Sequence, residues 1–498
     1  MQLAPLLNRT DVIIGDPLST LTVSGVTHDT RRLRAGDVYV ALTGTRTDGC
    51  QYAIEAEQKG ASVYIGEKQV EGLHIPQLLT ENARRTYAVA CANMAENPQK
   101  KMRIIGVTGT NGKTSTAYML RTILAHSGYK TALIGTVKSM IGEEEYIPEL
   151  SGAAKENFTT MTTPDPDVLY PALRVMADQG VEIVIMETSS HALALEKLAP
   201  IFFDIGVFTN LSAEHLDFHG DMENYFFAKA KLFSNCRIGL VNMDDPYAER
   251  LCATAACKTV GYGIRKKSEY SVEQIRMNGV FGSEYILYSP NARFKIKSRI
   301  PGHFTLYNTL AAASAARELG IDLVNIQNAL YALNGVCGRL ERVDLGFKEH
   351  SFSVFIDYAH TPYALENLLR CVNTFRSAGQ RIVTLFGCGG DRDTDKRAAM
   401  GSLSVALSDF VVITNDNPRT EDPEKIIQEI LCGVGNAKNY TVIQDRRSAI
   451  EHVIENALEG DIILLVGKGH EQYEIDRDGM HPFSERSIVE EAVEKRQK

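Results

Sequence analysis

The chain contains no CxxC pair, and its nine cysteines are odd in number and scattered along 498 residues. That argues against a disulfide scaffold and against a zinc ribbon, and points to a reducing compartment. No apolar run approaches the roughly 18 residues that span a bilayer, and the start, MQLAPLLNRTDVIIGDP, lacks a charged segment followed by a signal-type apolar run. A cytoplasmic protein without a membrane partner is expected. There is no lysine or arginine stripe, and the formal net charge is -9, so general attraction to nucleic acid is not expected. Short-period repeats and low-complexity tracts are absent too, and nothing demands a dimer, so a monomer is expected.

What is present is ordinary globular material: 44% hydrophobic and 23% charged residues. At a prior of about 150 residues per domain, this length suggests about three domains. Residues 1–98 hold short strand-like runs, VYVAL and ASVYIGE, and close with the helical run ARRTYAVACANMAENP. Residues 99–335 open with a buried strand, MRIIGVTG, and continue through VEIVIME, DIGVFTN and RIGLVNMDD, with strand alternation near 258–300 suited to an antiparallel flap or edge. Residues 336–498 carry a second series, SVFIDYAH, RIVTLFGCGGDR, FVVITNDNPR, YTVIQD and DIILLVGKGHE. The expected class is α/β in three domains, with a central P-loop ATPase-type, mostly parallel sheet and a C-terminal doubly wound, Rossmann-like sheet.

Between the strand MRIIGVTG and the helical run TSTAYMLRTILAHSG lies TGTNGKTS, Thr108 to Ser115. A glycine-rich turn into a helix can cradle phosphate oxygens with backbone N–H groups. Gly109, Thr110, Asn111, Gly112, Lys113, Thr114 and Ser115 are therefore the candidate triphosphate contacts, with Lys113 on the β/γ-phosphates and Thr114 on Mg²⁺. The spacing departs from GxxxxGK[ST], because Val107 holds the position of the first glycine. Glu187 and His215 follow buried strands and Lys229 lies on the next helical stretch, so together they are candidate Mg²⁺ ligands beside the phosphate loop.

Four strands of the last series run directly into polar loops: DYAHTP (from Asp357), GCGGDR (to Arg392), DNPR (Asp416, Asn417, Pro418, Arg419) and GKGHE (Gly467 to Glu471). Such loops should converge on one sheet edge. Arginine forks at Arg392 and Arg419 with carboxylates at Asp416 and Glu471 suit a zwitterion, so an amino acid is the expected ligand.

The ordered series THDTRRLRAGDVYVAL, TGTNGKTS, METSSHAL, NLSAEHLDFHGDMENY, GHFTLYNTLAA, GRLERV, DYAHTP, FGCGGDRD, DNPRTEDP and GKGHEQY resembles that of the Mur ligase family over essentially the whole chain. The resemblance implies an ATP-dependent, amide-bond-forming ligase of peptidoglycan synthesis that extends a UDP-N-acetylmuramoyl dipeptide with a diamino acid, using ATP and Mg²⁺. It implies UDP-sugar contacts at Thr30, Thr45, Arg46 and Thr47 and peptidyl contacts at Thr162, Thr163, Ser189 and Lys197. Asn308, Arg339 and Asp357 would handle adenine, phosphate and ribose. Lys229 matches the lysine that the family carbamylates, with Lys231 the competitor on residues alone. DNPR is associated with meso-diaminopimelate, whereas lysine or another diamino acid is the alternative, and a nucleotide switch without ligation is a third. Two positions depart from the pattern: Lys197 stands where arginine is usual, and Met161 where asparagine is common.

Overall fold

The structure is a computed structural model describing residues 1–44, 47–148, 157–159, 161–346 and 352–497. Thr45 and Arg46, two of the expected sugar contacts, lie outside the described residues. The chain divides into two compact units: residues 1–270 with 311–321, and residues 271–310 with 322–498.

The first unit begins with a four-stranded parallel sheet in sequential order, β1 (Val26–Thr27), β2 (Val38–Val40), β3 (Val63–Gly66) and β4 (Gln77–Leu79). The helix Ala83–Met94 follows, started by Asn82, whose side chain accepts from Arg85 N. The helix shares a continuous core, Tyr87, Ala88 and Cys91 among its members, with Leu169, Leu173 and Met176 of the helix Pro166–Asp178.

The unit's second sheet is built on β5 (Arg103–Thr108), β6 (Thr131–Ile134), β7 (Met140–Ile141), β8 (Glu144–Glu145), β9 (Ile183–Glu187), β10 (Phe203–Phe208), β11 (Cys236–Asn242) and β12 (Lys258–Gly263). Its order is β12-β11-β10-β5-β9-β6-β7-β8, parallel from β12 to β6. β9 is buried along its whole length, as the unbroken apolar run VEIVIM requires of a strand covered on both faces. After β5 the chain crosses to β6, returns to β9 beside β5, and only then takes the opposite side with β10. This reversal opens a crevice at the carboxyl end of β5, where α/β sheets place ligands.

In the second unit β13 (Tyr270–Met277), β14 (Ser283–Ser289) and β15 (Ala292–Ser298) pair antiparallel, so the alternation near 258–300 gives the expected antiparallel piece from Tyr270 on, while Lys258–Gly263 stays parallel as β12. The remaining sheet uses β16 (Glu341–Arg342), β17 (Ser353–Asp357), β18 (Ile382–Phe386), β19 (Phe410–Ile413), β20 (Tyr440–Val442) and β21 (Ile462–Val466) in the order β16-β17-β21-β18-β19-β20, with only the β16 edge antiparallel. Two buried clusters cover its faces, one including Leu365, Leu369 and Val372 of the helix Pro362–Phe375 and the other Ile450, Val453 and Ile488. This is the doubly wound arrangement. A hairpin, β22 (Tyr473–Asp476) with β23 (Gly479–Pro482), follows GKGHE.

Candidate functional site

In the first unit the phosphate loop leaves β5 and enters the helix Lys113–His126. Gly109 has φ +150°, and a Cβ there would collide with Thr209 Oγ1, so only glycine lets the loop lie against the end of β10. Thr110 N donates to Asn210 O and Asn111 N to Asn210 Oδ1, each at 2.9 Å. Those two N–H groups are thus engaged by the neighbouring strand end. The donors suited to an anion are those of the helix start, around Gly112 to Ser115, where the first turn has no intrahelical acceptors and no side-chain cap.

Lys113 Nζ folds back onto Gly109 O (2.9 Å) and Thr110 O (2.8 Å). Lys229 Nζ, at 2% exposure, donates to the same Gly109 O at 2.9 Å and sits 4.5 Å from the Tyr225 ring. Burial first, and the Lys113 charge second, push the Lys229 amine well below the usual lysine range. The rival Lys231 is exposed and paired with Glu196. Tyr225 OH shares a hydrogen bond with Thr110 Oγ1 at 3.1 Å.

Glu187, at the end of β9, is fully buried. Its carboxylate accepts from Thr114 Oγ1, Thr136 N and Thr136 Oγ1, each at 3.0 Å. His215 is exposed, in a left-handed conformation (φ 56°), with its ring 4.9 Å from that of His191 and 3.9 Å from the Glu214 carboxylate. Among the described residues no group of three or more His, Cys, Asp or Glu side chains could hold a metal. Mg²⁺ needs no such cage, since it commonly takes one or two carboxylates plus substrate phosphates and water. The hard oxygens of Thr114 and Glu187 fit it.

Three of the peptidyl candidates lie around Glu187, on its backbone carbonyl and on its partner Thr136. Thr163 Oγ1 donates to Glu187 O (2.8 Å) and to Ser189 Oγ (3.3 Å), while Thr162 Oγ1 is 3.0 Å from Thr136 Oγ1. Lys197, largely buried, pairs with Asp165 at 2.6 Å and lies 3.7 Å from Met161 Sδ. The two departures from the family pattern therefore touch each other. Thr30 is buried and donates to Glu55 (3.0 Å), and Thr47 is exposed.

In the second unit the four polar loops do stand side by side, because β17, β21, β18 and β19 are neighbours and parallel. Gly467 has φ +115°, and a Cβ there would lie 2.6 Å from Asp416 Oδ2, which ties GKGHE to DNPR. Asn417 Nδ2 donates to Glu471 Oε2 at 2.7 Å. Arg419 Nη1 donates to Gly390 O at 2.8 Å, fastening DNPR to GCGGDR. Burial first, then the Asp416 charge, pushes the Glu471 carboxyl up. Arg392 is exposed on its loop.

At the far end of this row Leu340 N and Ala359 N donate to Asp357 (2.7 and 2.8 Å), whose carboxyl is raised by burial and lowered by the nearby Arg339 charge. The Arg339 guanidinium lies 5.2 Å from the Tyr358 ring, and Asn308 is buried on the helix His303–Glu318.

Several residues of this machinery were not singled out from sequence. Thr136 lies two residues past the end of β6, so the strand-end rule that selected Glu187 could have found it. Lys468 lay within GKGHE at a strand end without being weighed by itself, while Arg446, essentially unexposed, gave no such sign: it donates to Asn415 O, Val466 O and Glu485 from beneath the loops.

A glycine loop and lysine at a sheet reversal, with a second parallel sheet ending in a polar row, define an α/β protein of the P-loop, nucleoside-phosphate-handling class. Family models agree along the chain: the Mur ligase family catalytic domain matches residues 22–105, the Mur ligase middle domain 107–316 and the Mur ligase glutamate ligase domain 338–469. The chain is 38% identical, over 99% of both chains, to the UDP-N-acetylmuramoyl-L-alanyl-D-glutamate–2,6-diaminopimelate ligase of Syntrophomonas wolfei subsp. wolfei. It is 39% identical to the enzyme of that name from Caldanaerobacter subterraneus subsp. tengcongensis, over 98% of this chain and 97% of the relative. A solved structure of a ligase of the same name superposes with a TM-score of 0.70 at 29% identity, covering 98% of each chain. The chain belongs to the Mur ligase family.

Proposed function

We propose that this protein is the ATP-dependent ligase that joins meso-diaminopimelate to UDP-N-acetylmuramoyl-L-alanyl-D-glutamate in peptidoglycan synthesis. The observation that carries the substrate is the row of loops on β17, β21, β18 and β19. Arg419, held by Gly390 O, stands there with Asp416 and Glu471, a guanidinium for a carboxylate and acids for an ammonium group. Residues 1–98 serve the UDP-sugar, 99–335 ATP, and 336–498 the amino acid.

The γ-carboxylate of the D-glutamyl residue attacks the γ-phosphorus of ATP, releasing ADP and forming an acyl phosphate. The amine of the diamino acid then attacks the acyl carbon, loses a proton, and expels phosphate. Lys113 and Arg339 offset charge on the transferring group, since such transfer depends mainly on positioning and electrostatics. Thr114 and Glu187 would hold Mg²⁺, which supplies charge neutralisation at the phosphates. Thr162, Thr163 and Ser189 orient the peptidyl carboxylate beside them.

Lys229 suits carbamylation. A buried amine held below the usual lysine range gives up its ammonium proton more readily, and the freed lone pair can attack the carbon of CO₂ with loss of a further proton, leaving an anionic carbamate as a further metal ligand. The reducing cytoplasm is supported by nine cysteines that are all thiols, none joined in a disulfide, and no helix among the described residues is long and apolar enough to cross a membrane.

The test is ligation by the full chain with ATP, the UDP-linked dipeptide and, in parallel, meso-diaminopimelate or L-lysine, reading product mass and phosphate. A meso-diaminopimelate adduct is expected. ATP turnover without any adduct rejects the ligase, and preferential lysine addition rejects the substrate.

A further inference from the structure

Lys468, the second residue of GKGHE, is a lysine with no exposed surface. An ammonium withdrawn from water is costly, and a position that only fills space is ordinarily apolar. Yet both oxygens that it reaches are neutral: Asn417 Oδ1 at 2.8 Å and Tyr473 O at 3.0 Å, with the Phe483 ring 5.3 Å from Nζ. Burial is the largest influence and brings its pKa below the usual lysine value; Asp416, Glu471 and Glu474 favour the charge from a greater distance, and Arg446 opposes it.

An ammonium can only donate, so it dictates which end of a facing amide is oxygen. Asn417 Oδ1 accepts from Lys468 Nζ and also from Ile475 N at 3.0 Å. The amide nitrogen must then face the other way, where it donates to Glu471 Oε2 at 2.7 Å. The same Asn417 accepts Gly390 N on its carbonyl at 2.9 Å, and Arg419 N donates to Ile475 O at 3.0 Å. One buried charge thus sits behind contacts that involve DNPR, GCGGDR, GKGHE and the hairpin of β22.

We propose that Lys468 is a positioning residue for the amino-acid substrate: its buried ammonium orients the Asn417 amide and, through it, fixes the Glu471 carboxylate in the cradle beside Arg419. This rests on the ligase reading given above. Without the cation only Ile475 N holds the amide oxygen, so the amide turns more readily, and a turned amide sets its oxygen against a carboxylate oxygen and drives Glu471 out of place.

The experiment is steady-state ligation by full-length Lys468→Met and Lys468→Gln, the latter keeping a neutral donor. Loss of one charge-assisted hydrogen bond raises the KM for meso-diaminopimelate about tenfold in Lys468→Met and less in Lys468→Gln. The KM values for ATP and for the UDP-linked dipeptide stay within about twofold, because those contacts are not touched. A general structural defect instead lowers kcat or shifts all three KM values, and that result overturns the proposal, as does an unchanged diaminopimelate KM in both variants. If Lys468→Met does not melt cooperatively, Lys468→Gln decides by the same split, and failure of both to fold assigns Lys468 to stability alone. Wild-type protein that ligates no amino acid overturns the ligase reading itself, an outcome separate from any of these.

Discussion

The phosphate end of the first unit and the loop row of the second both occupy the carboxyl ends of parallel strands, but they are held together differently. Around Gly109 the functional side chains lean on backbone: Lys113 and Lys229 on carbonyl oxygens, and the loop's own N–H groups on Asn210. Around Asn417 they lean on other side chains, with Glu471 and Lys468 in front and the Arg446–Glu485 pair beneath. Both draw on distant segments, but a carbonyl acceptor is present whatever residue stands there, whereas a side-chain net depends on the identity of every partner.

That difference puts the largest expected effect at the net's foundation. Arg446 and Glu485 are 0% and 2% exposed at the side chain, and Arg446→Met leaves a carboxylate buried without its partner, costing about 3–5 kcal/mol. Urea unfolding measures it, and a loss below about 1 kcal/mol would show that the pair is not holding the loops up. Next comes Lys113→Ala, which should leave the fold intact and lower ATP-dependent phosphate release about 10²–10³-fold. Release within about tenfold of wild type would remove Lys113 from the chemistry.

Smaller is Arg419→Ala, expected to raise the KM for meso-diaminopimelate about 10–100-fold through the loss of roughly 1.5–3 kcal/mol of charged hydrogen bonding. Unchanged kinetics would favour a diamino acid without the second carboxylate.

The smallest effect is on pH. Arg397, hydrogen-bonded to Glu421, holds that carboxyl at about 2, below its ordinary 4.5. Because the folded value is the lower one, Glu421 stabilises the fold fully above pH 4.5 and ceases to as pH falls through about 2. Arg397→Met should flatten the stability loss across that window, and an identical slope in variant and wild type would exclude Glu421 as its source.

The two ends also differed in how far they could be read from residues. TGTNGKTS was legible because strand, glycines, lysine, hydroxyl and helix follow one another in eight residues and their immediate neighbours. The loop row was legible as four strand ends, and their adjacency followed from the rule for parallel sheets. The order of those strands did not: that β21, last in sequence, sits between β17 and β18 is a matter of long-range pairing. Lys229 and Lys231 were chemically alike on paper, and burial separates them.

By itself, then, the sequence determined which segments become buried strands and which loops carry charge, because apolar runs and glycine turns act locally. Only the tertiary structure decided that Lys468 is a buried cation rather than a solvated one, that two loop N–H groups are already engaged, and that Thr136 completes the setting of Glu187. The reason is physical: burial and hydrogen-bond satisfaction belong to the assembled surroundings of a group, which come from parts of the chain that its own neighbours in sequence do not contain.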